Sequence, residues 1–164
     1  MLTVLVICTG NTCRSPMAEY LLRARLEAQG LGADVRVQSA GLSALPGSPI
    51  SAGAQAVLER RDIVACGEHA AATVTADRLA GADLILTMTA FHKMSIEQSY
   101  PEVSEKLYTF VQYATGVSHR DIDDPYGGDE ARYEEAATQI EGLCERIVER
   151  LRTRLGKSAE IPLQ

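Results

Sequence analysis

Cys8 and Arg14 are separated by the five residues Thr9-Gly10-Asn11-Thr12-Cys13 and followed by Ser15-Pro16. These types at this spacing suit nucleophilic attack on a bound anion. A short loop curling onto a helix N-terminus turns successive backbone N–H groups inward, and the helix dipole adds about half a positive charge. Arg14 contributes a full charge and a planar fork that matches two phosphate oxygens. In that field a thiolate is favoured over a thiol, which makes Cys8 nucleophilic near neutrality. Gly10 and Asn11 are residue types that tolerate the positive φ a tight cradle needs. Ser15 is placed to cap a helix with Pro16 at its first position, and to donate its hydroxyl to the Cys8 sulfur. A buried strand-end cysteine is the plainer reading of Cys8, but it leaves the glycine, the arginine and the helix start unexplained.

Phosphoryl transfer to a thiolate expels a poor leaving group unless that group is protonated, so the site needs a carboxylic acid opposite the sulfur. Asp124 is the candidate. It precedes Pro125 in a turn-rich stretch, Tyr126 offers a pocket wall, and Gly127-Gly128 lets the loop approach the cradle. Asp121 and Asp123 compete with it, since acidic loop residues are commonly just solvated. Ser39 is expected to hydrogen-bond the loop backbone from behind. His92 and His119 are expected on the surface or on helix flanks without a catalytic part, His69 in a packing role and Asp83 as a cap. Cys13 shares the loop with Cys8, and a reversible Cys8–Cys13 disulfide is expected on oxidation.

The elements that must position these groups follow from periodicity. Residues 2–7 are almost continuously apolar, the pattern of a central parallel strand covered on both faces. A helix is expected from Pro16 to about Gln29, with Met17, Leu21, Ala24 and Ala28 on one row and Gly30 as its stop. Residues 34–39 alternate as a second strand. A loop through Pro46 and Gly47 follows, and Ser48-Pro49 is expected to open a helix to about Arg60. Residues 61–75 read as mostly loop and 75–79 as a short helix. Strands are expected at 82–88 and 106–110, separated by a helix over 90–98, and a long helix runs from 129 to about 155. Strands alternating with helices give a single-domain, doubly wound α/β fold, with four parallel strands flanked by helices. Ligands in such sheets bind beyond the carboxyl ends of the strands at the switch point, where the loop after the first strand lies.

With 164 residues the chain has room for one domain with a full core. The net charge of −6 argues against a nucleic-acid partner, whose phosphates call for a basic surface. No apolar run approaches the ~20 residues of a membrane span, and the first residues lack the pattern of a signal peptide. A cytoplasmic protein without membrane attachment is expected. The four cysteines do not make a disulfide framework, and lack the second close pair that a structural zinc would need.

The segment from Ile7 to Glu19 resembles the active-site signature of the low-molecular-weight protein-tyrosine-phosphatase family. It is most similar to the bacterial protein-arginine-phosphatase branch, which carries threonine where Thr12 stands. The likeness continues through Ser39-Ala40-Gly41, residues 82–89 and Asp124-Pro125-Tyr126-Gly127-Gly128, so it spans nearly the whole chain. It implies a phosphatase domain over residues 1–156 with a tail at 157–164. It selects Asp124 as general acid, with Cys8 as nucleophile and Arg14 binding the phosphoryl group. Thr9, Gly10, Asn11, Thr12, Cys13, Ser15 and Tyr126 contact substrate, and Ser39 supports the loop. The implied route has two steps through a phosphocysteine, with no metal or cofactor, on phosphorylated protein substrates.

Tyrosine-specific members carry a bulkier aliphatic residue at the Thr12 position and aromatic walls. Here Thr12 is small and polar, and Leu42 follows Gly41 where an aromatic would stand, so phosphoarginine is favoured over phosphotyrosine. The resemblance then implies a counteracting protein-arginine kinase and a part in bacterial stress control. An arsenate reductase would need two relay cysteines, for which Cys66 and Cys144 are not an obvious pair. A redox-sensing phosphate binder would not need Asp124.

Overall fold

The computed structural model describes residues 1–118 and 120–157; His119 and residues 158–164, which include most of the expected tail, lie outside the described residues. Four strands form the sheet: β1 (Leu2–Cys8), β2 (Val35–Gly41), β3 (Leu84–Thr87) and β4 (Leu107–Thr109). All pairings are parallel and the order is β2-β1-β3-β4. The helices are α1 (Arg14–Ala28), α2 (Ala52–Glu59), α3 (Ala76–Gly81), α4 (Ala90–Ser99), α5 (Phe110–Thr115) and α6 (Glu130–Arg154).

The apolar run of β1 explains the layers. Successive side chains of a strand point to opposite faces. Val4 and Val6 enter the larger core with α1, α2, α5 and α6, whereas Leu5 and Ile7 join Leu79, Ile96, Val103 and Leu107 on the other face. Burial on both faces is why β1 does not alternate. Chain order reverses between β1 and β3, so the loop after β1 opens at the switch point, as the doubly wound reading requires.

Several boundaries differ from the sequence expectation. The first helix begins at Arg14, two residues before Pro16, and Cys13 occupies its N-cap without a side-chain capping bond. Ser15 therefore lies inside the first turn and its hydroxyl serves the site. The second helix begins at Ala52, capped by Ser51, whose side chain accepts from the Ala54 amide. Pro49 instead lies in a bridge with Ala70. The expected loop over 61–75 contains a 3-10 turn at Ala65–Glu68. A second 3-10 turn at Pro101–Lys106 and helix α5 were not expected; Thr109 Oγ1 accepts from the Gln112 amide and ends β4 after three residues. Lys157, assigned to the tail, is tied back to the domain by its amide on Arg152 O and its ammonium 2.6 Å from Asp34.

Candidate active site

The loop between β1 and α1 is held by its carbonyls. Leu42 N donates to Cys8 O (3.0 Å), Ser43 N to Thr9 O (2.9 Å), Ser51 N to Thr12 O (2.9 Å) and Met17 N to Cys13 O (3.0 Å). His69 Nε2 lies 2.8 Å from Asn11 O and donates to it. With the carbonyls engaged from outside, the loop's N–H groups are left for the cleft. Gly41 makes the close approach of β2 possible: a Cβ there would sit 2.4 Å from Thr9 O and 3.0 Å from Asn11 N.

Asn11 carries the positive φ, at 55°; Gly10 does not share it, contrary to expectation. The Asn11 side chain organises the rear of the loop. Its Nδ2 donates to Ser15 Oγ (2.9 Å) and to Ser39 Oγ (2.8 Å), and its Oδ1 accepts from Ala72 N (2.9 Å). Because Ser15 Oγ accepts from Asn11, its own proton is free for Cys8 Sγ, 2.9 Å away. The Asn11 amide also donates to Cys8 Sγ, at 3.3 Å. Ser39 donates in turn to the buried Glu19, which is paired with Arg23. Ser39 thus lies behind the loop but bonds the Asn11 side chain, not the loop backbone.

Arg14 is only 6% exposed, with one guanidinium nitrogen donating to Ile122 O (3.1 Å) and another 3.4 Å from Asp124 Oδ2. The backbone of Ile122 is itself fixed by its amide on Met88 O, at the end of β3. Of the three neighbouring acids, Asp121 accepts from Ala90 N at the start of α4, and Asp123 faces a separate hollow against α6. Asp124 alone lines the cleft with Cys8.

That cleft has a volume of about 350 Å³. Cys8, Thr9, Gly10, Thr12, Cys13 and Arg14 of the loop form its floor, and Asp124, the exposed Tyr126, Ser43, Leu45 and Ser48 complete its lining. Leu42, expected at this wall, packs instead with Val74 and Tyr100 against the second core. A larger hollow of about 520 Å³ lies between α1 and α6, but there the cysteine is Cys144, whose burial pushes its thiol well above the usual range. The candidate residues Cys8, Arg14 and Asp124 all line the smaller cleft.

Cys13 lies 3.3 Å from Ser51 Oγ and 3.5 Å from Tyr133 Oη, and both it and Cys8 are free thiols in this structure. His92, expected on the surface or on a helix flank, lies in the first turn of α4 but is only 2% exposed, with Nε2 2.9 Å from Thr9 Oγ1. Sequence patterns also missed His69, Gly41 and Glu19. For Gly41, the Ser39-Ala40-Gly41 run at a strand end was the available signal.

The model of the family described as low molecular weight phosphotyrosine protein phosphatase matches residues 3–157. A protein-arginine-phosphatase of Bacillus subtilis is 36% identical over 91% of this chain and 96% of its own length. The low molecular weight protein-tyrosine-phosphatase Etp of Escherichia coli is 34% identical over 94% and 95%. Among solved structures, a mutant of the YwlE arginine phosphatase with a phosphorylated active-site serine superimposes with a TM-score of 0.87, at 34% identity over 92% of this chain and 96% of that one.

Proposed function

This chain belongs to the low molecular weight phosphotyrosine protein phosphatase family, and from that membership we propose that it hydrolyses phosphoarginine in proteins through a phosphocysteine intermediate. The observation that carries the reaction is the environment of Cys8 Sγ. It accepts from the Ser15 hydroxyl and the Asn11 amide at the floor of a cleft, beside the Arg14 fork and facing Asp124.

Cys8 attacks phosphorus in line while Arg14 and the loop amides hold the equatorial oxygens, and the P–N bond breaks as Asp124 gives its proton to the departing guanidine nitrogen. Asp124, now a carboxylate, takes a proton from water as that water attacks phosphorus. The S–P bond breaks and inorganic phosphate leaves. Arg14 and the amides supply the positive field, so the scheme calls for no metal. Thr12 supports phosphoarginine. It is small, polar and on the cleft floor, where a slender guanidinium fits with room for its N–H groups, and the acid-labile P–N bond suits protonation by Asp124. A protein-arginine kinase is the class of enzyme that must supply this substrate, and the cytoplasm is where the two would meet.

Phosphotyrosine is the second reading, favoured by the Tyr126 wall and by the Escherichia coli relative. Arsenate reduction is disfavoured because Cys66 and Cys144 are both buried and neither lines the cleft. Paired kinetics on phosphoarginine and phosphotyrosine peptides of otherwise identical sequence test the assignment, with Thr12→Ile alongside. A higher kcat/KM for phosphoarginine that Thr12→Ile reverses supports it. Preference for phosphotyrosine in the parent overturns the substrate while leaving the roles of Cys8, Arg14 and Asp124 standing.

A further inference from the structure

His92 is a buried, titratable group that the reaction scheme does not use, and its place in the fold is specific. It lies in the first turn of α4, whose cap Thr89 accepts from the His92 amide at 3.1 Å. Its neighbours Phe91 and Met94 are 65% and 48% exposed, yet the imidazole turns inward to Thr9 Oγ1. The other ring nitrogen, Nδ1, is buried without a hydrogen-bond partner among the described residues.

That asymmetry fixes the tautomer. Burial first, and the Arg14 cation second, hold the imidazole neutral by lowering its pKa to about 4, against opposing pulls from Asp121 and Asp124. A neutral ring carries one N–H. On Nδ1 it would be a stranded buried donor, whereas on Nε2 it is satisfied by Thr9 and leaves only a bare lone pair inside. Nε2–H therefore donates, and the Thr9 oxygen accepts. A hydroxyl that accepts keeps its own proton, and Thr9 is an exposed residue on the cleft floor.

We propose that His92 is a positioning residue for catalysis, orienting the Thr9 hydroxyl as a hydrogen-bond donor into the cleft. The proposal rests on the phosphatase reading of that cleft. It gives α4 a part in the reaction: the element after β3 braces the first residue of the anion loop across the switch point, as Ser43, just beyond β2, braces it from the other side through its amide on Thr9 O.

The test is a double-mutant cycle on Thr9→Val and His92→Leu, with His92→Gln as the conservative variant, since a glutamine amide can place its N–H near the position of Nε2. Two readouts are taken on each protein: kcat/KM for para-nitrophenyl phosphate, and the Kd of inorganic phosphate by calorimetry. Each single variant is expected to lose about tenfold in kcat/KM, the worth of one oriented hydrogen bond. The double variant should be no worse than either single one, and His92→Gln should recover to within about threefold of the parent. Long-range 15N–1H spectra of the parent should show the proton on Nε2.

Additive losses, a glutamine variant as impaired as leucine at equal Tm, or a proton on Nδ1 would each overturn the proposal. Should His92→Leu not fold, His92→Asn replaces it; its shorter amide misses Thr9, so it should be impaired where glutamine is not. If the parent does not turn over the phosphate ester, the phosphatase reading fails. The cycle is then decided on phosphate affinity alone, where coupling between His92 and Thr9 supports the positioning role and additivity removes it.

Discussion

The two halves of the cleft are built differently. On the floor, Cys8, Asn11, Arg14 and Ser15 are all buried, and the carbonyls of Cys8, Thr9, Asn11, Thr12 and Cys13 accept from Leu42, Ser43, His69, Ser51 and Met17. On the wall, the Asp124 side chain is 51% exposed, held by the Tyr126 amide at 3.1 Å and a long 3.4 Å contact to Arg14, and Tyr126 is 76% exposed. The contrast fits the two proposed tasks. Binding a charged group and holding a nucleophile gain from dipoles fixed in advance, because nothing need reorganise as charge develops. A group that donates a proton in one step and takes one in the next must meet water, and exposure allows that. The floor is therefore where stability and activity are coupled, and the wall is where they separate.

The sharpest way to break this division is to remove the nucleophile. Cys8→Ser should lower kcat by at least about 10⁴ on any phosphorylated substrate, because a serine hydroxyl is a far weaker nucleophile than the sulfur it replaces. Measurable turnover near the parent level would place the chemistry elsewhere. On the wall, Asp124→Asn should cost about 10²–10³ in kcat, within the usual range for a general acid. Its Tm should stay within about 1 °C of the parent, since a half-exposed carboxylate with one long ion-pair contact contributes little to folding. A large fall in Tm would show that the wall is as structural as the floor. Asn11→Ala should do both at once. It removes three side-chain hydrogen bonds and places alanine at a φ of 55°, for a stability loss of about 3–4 kcal/mol in urea unfolding together with loss of activity. Activity lost without stability would separate loop geometry from the fold.

Much of the floor was legible before any coordinates, and the reason is locality. The strand, loop and helix that form it are contiguous, so the types at positions 8–15 describe one object, and the apolar run of β1 announces a buried central strand. Asp124 was legible through its turn chemistry and the family likeness. What the sequence concealed was brought in from a distance. Ser43, Leu45 and Ser48 line the cleft only because β2 ends beside β1. His69 reaches Asn11 O across 58 positions of chain and His92 reaches Thr9 across 83. A lone histidine carries no mark in the sequence of a partner so far along the chain. Boundaries moved where a hydroxyl cap outweighed proline: Ser51 starts α2 although Ser48-Pro49 offers the commoner signal, because Pro49 is held in its bridge to Ala70. The apolar Phe110 suits a strand end or a helix start equally, and the Thr109 cap decides for the helix.

His92 gives the gentlest probe of the same contrast, through pH. Its pKa is lowered from 6.5 to about 4 in the folded protein, so below pH 6.5 the unfolded chain binds a proton that the folded protein refuses. Stability contributed by the neutral buried ring is full above about pH 6.5, falls as pH drops through the interval to 4, and levels off below it, a total of no more than about 3 kcal/mol. Carboxylates titrate in the lower part of the same interval, so the informative quantity is the difference between parent and His92→Gln, which lacks this group but shares the others. In urea unfolding at pH 7 and pH 5, the parent should lose about 2 kcal/mol more than the glutamine variant. An equal loss in both would mean that the ring is protonated in the folded state and makes its contact to Thr9 as a cation, which would put a titrating group on the floor and bring its properties closer to those of the wall.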